Sequence, residues 1–112
     1  MASKKSKKNQ YWGLEQEEAI KEYNITDDTT VKHILYEKVI LKAFQQLTEN
    51  IFYTYNFNKI LGDIDNVSND LLIHLYEKIG KFDHTRGFKS FSFFGTISKN
   101  WLIQQSNIAK KK

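Results

Sequence analysis

The sequence predicts an all-α protein, a small bundle of about four helices, and three observations predict it. Apolar residues recur at three- and four-residue steps over long stretches, the period of a helix face. No stretch alternates with the two-residue period of a strand, and no internal repeat is present. Turn-forming residues gather between the periodic stretches, at Asn24–Asp28, at Asn56–Asp65 and from Gly80 to Gly87, while proline is absent throughout.

Taken in order, Met1–Gln10 is a lysine- and serine-rich stretch expected to be a disordered basic tail. Tyr11–Tyr23 reads as a short helix, with Glu15, Glu17 and Glu18 near its start, where the helix dipole favours negative charge. Thr29 or Thr30 can then cap the longest helix, which runs to about Tyr55. Its stripe is Val31, Ile34, Leu35, Leu41, Phe44, Leu47, Ile51 and Tyr55, with one longer gap straddled by Lys38 and Val39. A third helix covers about Asn66 to Ile79: Val67, Leu71, Leu75 and Ile79 face inward, Asn66, Asn69, Asp70 and Glu77 outward, and Gly80 is placed to end it. The last helix runs from Ser90 to about Asn107, with Phe94, Ile97, Trp101 and Ile108 along one side and Phe93, Thr96, Asn100 and Ile103 along another. Residues 110–112 read as a frayed basic end. The domain proper is expected over 11–109.

At 112 residues the chain suits one domain with one core. It has no cysteine, which excludes disulfides and thiolate metal sites and fits a reducing cytoplasm. No apolar run approaches the roughly 20 residues of a membrane span, and no hydrophobic segment follows the basic start, so a signal peptide is not expected. The net charge of +4 hides an asymmetry: five lysines against twelve carboxylates over 11–77, then eight basic residues against Asp83 alone over 78–112. A basic half can approach a polyanion, while an acidic half is repelled by it and left for another partner.

The densest chemistry lies between Phe82 and Gln105, FDHTRGFKSFSFFGTISKNWLIQQ. A charged turn, Asp83–Gly87, precedes four phenylalanines in seven residues: Phe88, Phe91, Phe93 and Phe94. Lys81, Arg86 and Lys89 sit among them, and Ser90 could cap the helix that follows. Rings interleaved with cations suit single-stranded or unpaired nucleic acid, whose bases stack on aromatic faces while cations follow the phosphates. The competing reading of each ring is core of a small helical domain.

Reactive constellations are missing. His33, His74 and His84 lie in separate segments, so no metal site is expected. Gly62, Gly80, Gly87 and Gly95 are isolated, so no phosphate loop is formed. Asp63 and Asp65 read as an acidic turn. Neither a catalytic residue nor a cofactor is expected, and the chain does not read as an enzyme.

These residues together resemble the second conserved region of bacterial sigma factors, and most nearly the small late-transcription sigma factors of T-even-like tailed bacteriophages. Primary sigma factors carry a stretch of the type DLIQEGxxGLxxAxxKF, then a glycine turn, an FSTYA stretch and WWIRQAI. Here the chain reads NVSNDLLIHLYEKIGKF from Asn66, then DHTRGFK, then FSFFGTISKNWLIQQ from Phe91, and KFD(x)xRG(F/Y)K(x)FS is the most specific part. Upstream, LEQEEAIKEY is similar to the acidic helix before region two, and KVILKAFQQLTENIFYTYNF to the long helix of the NLRLVVSIAKKY type. The likeness spans about residues 14–105.

The resemblance implies a sigma region-two-like fold and a promoter-specificity subunit for phage late transcription initiation. It would work in the cytoplasm of the infected bacterial host. Asn66, Asn69 and Asp70 match the positions set against the clamp helices of the β′ subunit of core RNA polymerase. Phe88, Phe91, Phe93 and Phe94 match positions facing the unpaired non-template strand of a minus-ten-like promoter element, and Arg86 and Lys89 match backbone-contacting positions. Ile97 and Ser98 fall where the family's strand-opening tryptophan pair stands, one residue is inserted at Ser90, and the helix-turn-helix of region four is missing. Trp101, a helical turn beyond that pair, reads as packing. By the same resemblance a sliding clamp and a late co-activator are further partners. Two other readings compete: an anti-sigma-like, polymerase-binding regulator, and a helical single-strand-binding module. The charge asymmetry disfavours the module, and the aromatic cluster disfavours the regulator.

Overall fold

The computed structural model describes residues 11–111, and every regular element among them is helical. Helix α1 (Leu14–Ile25) starts at Gly13, whose backbone N–H donates to the Gln16 side chain at 2.7 Å. The long helix begins with α2 (Thr29–Leu35), and its cap is Asp28 rather than either threonine. The Asp28 carboxylate accepts from the Thr30 N–H at 2.9 Å and the Val31 N–H at 3.4 Å. Aspartate at this position also places negative charge at the positive end of the helix dipole.

A π-helical turn, Tyr36–Ile40, joins α2 without a break to α3 (Leu41–Thr54). This turn accounts for the irregular gap in the apolar stripe. Its i→i+5 bonding puts an extra residue into the turn and rotates everything after it. Ile40, Ala43, Phe44, Leu47, Ile51 and Phe52 are buried as a result, whereas Ile34 and Tyr55, expected in the stripe, are exposed.

After α3 the chain turns at Asn56, whose φ is 59°, and makes the short helix α4 (Asn58–Leu61) and a 3-10 turn, Ile64–Asn66. Helix α5 (Ser68–Lys78) follows, and Val67, Leu71, Leu75 and Ile79 are all buried as their four-residue spacing predicts. Gly80 does not end this helix in a left-handed cap; the chain tightens into a 3-10 turn over Ile79–Lys81.

The last helix, α6 (Ser90–Lys110), has a different inward face from the expected one. Ser90, Phe94, Ser98, Leu102 and Ser106 are buried, Ile97 and Trp101 sit at the edge, and Ile108 is 53% exposed. Small serines let the helix approach its neighbours closely, and Ser98 meets its own polar need by donating to the Phe94 carbonyl at 2.8 Å. Lys110 is the last residue of the helix, not a frayed end. The expected N-terminal tail and Lys112 lie outside the described residues.

One core results, to which α1, α3, α5 and α6 all contribute. Phe44, at its centre, lies 5.9 Å from Trp12 and 5.0 Å from Phe94, ring centre to ring centre. Trp101 packs against this core, with its ring 6.3 Å from that of His74. Leu75 is fully buried, so Leu75→Ala should lower unfolding free energy by about 2–5 kcal/mol. Urea denaturation followed by circular dichroism measures the loss.

Candidate nucleic-acid interface

The segment from Ile79 to Phe91 is held at both ends by α1. The Asn24 amide donates to the carbonyls of Ile79, at 2.9 Å, and Phe82, at 3.1 Å. Two helical turns earlier on α1, the Glu17 carboxylate accepts from the Ser90 N–H and Ser90 Oγ, both at 2.8 Å, and from the Phe91 N–H at 3.3 Å. Ser90 Oγ in turn accepts from the Trp12 indole N–H at 3.0 Å. Ser90 is therefore the first residue of α6 and not its cap. The capping carboxylate comes from another helix.

Between these anchors the loop closes on itself. Asp83 accepts from the backbone N–H and the hydroxyl of Thr85, which starts a 3-10 turn at His84–Arg86. Those hydrogen bonds hold its carboxyl below the usual range, although the group is fully exposed. Gly87 follows with φ 83° and ψ 0°, and this left-handed step swings Phe88 outward.

The four phenylalanines divide between the two readings. Phe94 is fully buried and belongs to the core, Phe91 and Phe93 are half-buried, and Phe88 is 67% exposed. Phe88, Phe93, Phe82 and Ile97 line an open, mainly apolar groove of about 440 Å³, with Lys81, Asp83 and Arg86 at its rim and Ser92 and Thr96 on the α6 side. The Phe93 ring rests 5.3 Å from Phe82 and 5.0 Å from Phe94, so it forms a fixed wall, while Phe88 is the ring with most of its surface in solvent.

Two more clefts adjoin this groove around Ser92. One, of about 310 Å³, contains Lys89 and Phe91 beside Trp12 and Glu17. The other, of about 430 Å³, lies between α6 and α3 and contains Phe91, Thr96, Gly95, Tyr55 and Lys99, with the Lys99 ammonium 4.4 Å from the centre of the Tyr55 ring. Of the residues expected to contact DNA, Arg86, Phe88, Phe93 and Ile97 thus meet in one groove, and Lys89 and Phe91 in the next. Phe94 and Ser98 are corrected: both are fully buried, and neither presents a surface to a strand.

Ser92, Thr96, Tyr55 and Lys99 were not anticipated. Ser92, Thr96 and Lys99 follow once α6 is phased on its serines, since they step by four and three along one outer face. Tyr55 has no such signal, because its partner Lys99 is brought to it by tertiary packing. A larger cleft, about 530 Å³, lies elsewhere; it sets Lys38 and Lys42 against Glu15 and offers a single ring, Tyr11. It lacks the several rings that bases would stack on.

Around the start of α5, Asn66, Asn69 and Asp70 are exposed. Asn66 donates to the Leu61 carbonyl at 3.1 Å and so closes the turn after α4. Beyond Asp70 the outward side continues with Ile73, 51% exposed, and Tyr76, 47% exposed, beside Glu77. The eleven residues of α5 put about 16 Å between this acidic beginning and the aromatic loop that follows its other end. Trp101 is seated against His74, whose pKa is lowered by burial and by nearby Lys78.

No helix among the described residues is long and apolar enough to cross a membrane, and no group of three or more metal-ligating side chains is found among them. Comparison with protein-family models, with curated proteins and with solved structures finds no match. The geometry at Gly87 is testable by itself. An added Cβ would meet nothing within 4 Å, so Gly87→Ala should cost about 1 kcal/mol through backbone strain alone, and Gly87→Asn less. Thermal unfolding of both variants distinguishes strain from steric conflict.

Proposed function

We propose that this protein is a sigma-like promoter-specificity subunit. It binds core RNA polymerase through the acidic face of α5 and takes the unpaired non-template strand of a minus-ten-like promoter element in the aromatic groove, so directing phage late transcription initiation in the cytoplasm of the infected bacterial host. The observation that carries this reading is the groove itself: Phe88, Phe93 and Ile97 in one open cleft with Arg86 and Lys81 at its rim. A base leaving the stack finds a ring to lie on, and its phosphates find cations.

The first amides of α6 are already occupied by Glu17, so they are not open to a phosphate, and the side-chain cations must serve instead. Asn69, Asp70, Ile73 and Tyr76 form a mixed acidic and apolar face suited to a basic or amphipathic surface on the β′ clamp helices. A sliding clamp and a late co-activator are further partners in this reading. The role is one of binding and positioning, not of catalysis.

The decisive variant is Phe88→Ala, because an exposed ring can be removed with little cost to the fold. Stacking contributes about 1–3 kcal/mol per base, so affinity for a short single-stranded oligonucleotide should fall roughly five- to a hundredfold. Run-off transcription with core polymerase should fall in step. Arg86→Ala with Lys89→Ala should weaken binding to every sequence and make the salt dependence shallower by roughly 0.7 per lost phosphate contact. Fluorescence anisotropy across a salt series reads both effects. Wild-type affinity in the Phe88 variant would remove the stacking role.

The polymerase face is tested separately. Changing Asn66, Asn69 and Asp70 together to Ala should abolish co-purification with core polymerase while leaving the helical circular dichroism signal and oligonucleotide binding unchanged. Undiminished co-purification would place the partner elsewhere. Retained oligonucleotide binding without any polymerase association by the wild-type chain would favour the single-strand-binding module.

A further inference from the structure

We infer that α1 is a positioning element for the groove, and that Glu17 and Asn24 set its shape without lining it. The inference rests on the nucleic-acid reading of the groove and adds to it the residues that determine how well the groove is formed in advance.

Phe88 stands on a short loop whose conformation is left-handed at Gly87 and which packs little against the core. Such a loop samples many states unless its ends are fixed, and a ligand that must order it loses affinity in doing so. Its ends are fixed by one helix. Asn24 binds two carbonyls on the entering side, at Ile79 and Phe82, and Glu17 binds two amides and a hydroxyl on the leaving side, at Ser90 and Phe91. The two residues are seven positions apart on α1, two turns, and so project from the same face. Their spacing sets the span between the loop's ends.

Glu17 is itself steadied, because the hydroxyl it binds is also held by the buried Trp12 indole. Neither Glu17 nor Asn24 lines the groove that contains Phe88, although Glu17 borders the adjoining cleft beside Lys89 and Phe91. Their effect on the Phe88 groove therefore passes through the loop.

The test uses the full chain, Glu17→Gln and Asn24→Asp, each with and without Phe88→Ala. The first change keeps the size of the side chain but replaces one acceptor oxygen with an amino group facing a donor. The second replaces the donor with an acceptor facing two carbonyls. A short fluorescein-labelled oligothymidine is titrated by anisotropy well below the melting temperature of each variant. Affinity should fall about three- to tenfold in either single variant, and less than twofold further when Phe88 is already alanine, since the ring being positioned is then absent.

A merely structural role would lower the melting temperature and leave the affinity of the folded chain unchanged, and that result overturns the inference. Hydrogen exchange of the wild-type chain gives a measure that needs no variant. By reciprocity, oligothymidine binding should slow exchange of the Ser90 and Phe91 amides, which Glu17 holds. Unchanged exchange there also overturns it. Should the wild-type chain fail to bind oligothymidine at all, the reading of the groove falls and this inference with it. Binding by wild type with equal affinity in both α1 variants removes this inference alone.

Discussion

The structure depends on one carboxylate. α6 carries three of the four phenylalanines and the buried serine stripe, yet its own first turn supplies no side-chain cap. Two of its leading amides and a buried hydroxyl are satisfied by Glu17 from α1. An unmet buried donor costs about 1–3 kcal/mol, and bonds to a charged acceptor are the stronger kind, so this single side chain decides whether α6 can start at Ser90. The start of a helix sets the phase of everything after it. With Ser90 inward, Phe94, Ser98 and Leu102 follow it into the core, and Phe93, Thr96 and Ile97 are left at or near the groove. The Trp12 indole completes the arrangement by giving Ser90 Oγ a donor from inside the core.

What could be read from the sequence follows from how local its cause is. The α5 stripe of Val67, Leu71, Leu75 and Ile79 is legible because large aliphatic residues at four-residue spacing have one good place to go. The extent of the long helix is legible too, but not the phase change inside it. A π turn has no compositional signature, and Lys38 and Val39 gave only a gap. The α6 stripe misled because three of its five inward positions are serines, which count as polar in a pattern although they pack as small residues. Asp28 was passed over for threonines beside it, a choice between neighbours that propensity hardly separates. Glu17 and Asn24 were beyond reach: their partners lie 55 to 74 positions further along the chain.

The candidate interface shows the same division. A dense run of aromatics announces that something unusual is built there, but not which rings are structural. Only the packing separates Phe94, against Phe44 and Trp12, from Phe88 in solvent. The intermediate rings matter most for a binding surface. Phe93 is wedged between Phe82 and Phe94 and Phe91 against Trp12, so each offers a face or edge that is already immobile. A ligand stacking on them would lose little to side-chain ordering.

Charge and shape then act on different parts of the problem. Lys81 and Arg86 face the groove beside Asp83, so its local positive charge is modest, and the acidic stretch over 11–77 adds repulsion for a duplex. Electrostatic attraction alone would therefore hold a polyanion weakly and lose it in salt. Apolar wall area does not weaken that way. A groove with strong rings and a thin cationic rim favours a strand whose bases are already exposed over one whose bases are paired, because only the exposed bases can use the rings. Under the proposed function, selection between open and closed DNA would come from the balance of the two terms: the weaker the rim, the larger the share of binding that requires an unpaired base. On this argument Asp83 is more than a turn residue. By offsetting one cation at the groove, it would, under the proposed function, lower affinity for duplex and single strand alike and leave stacking to tell them apart.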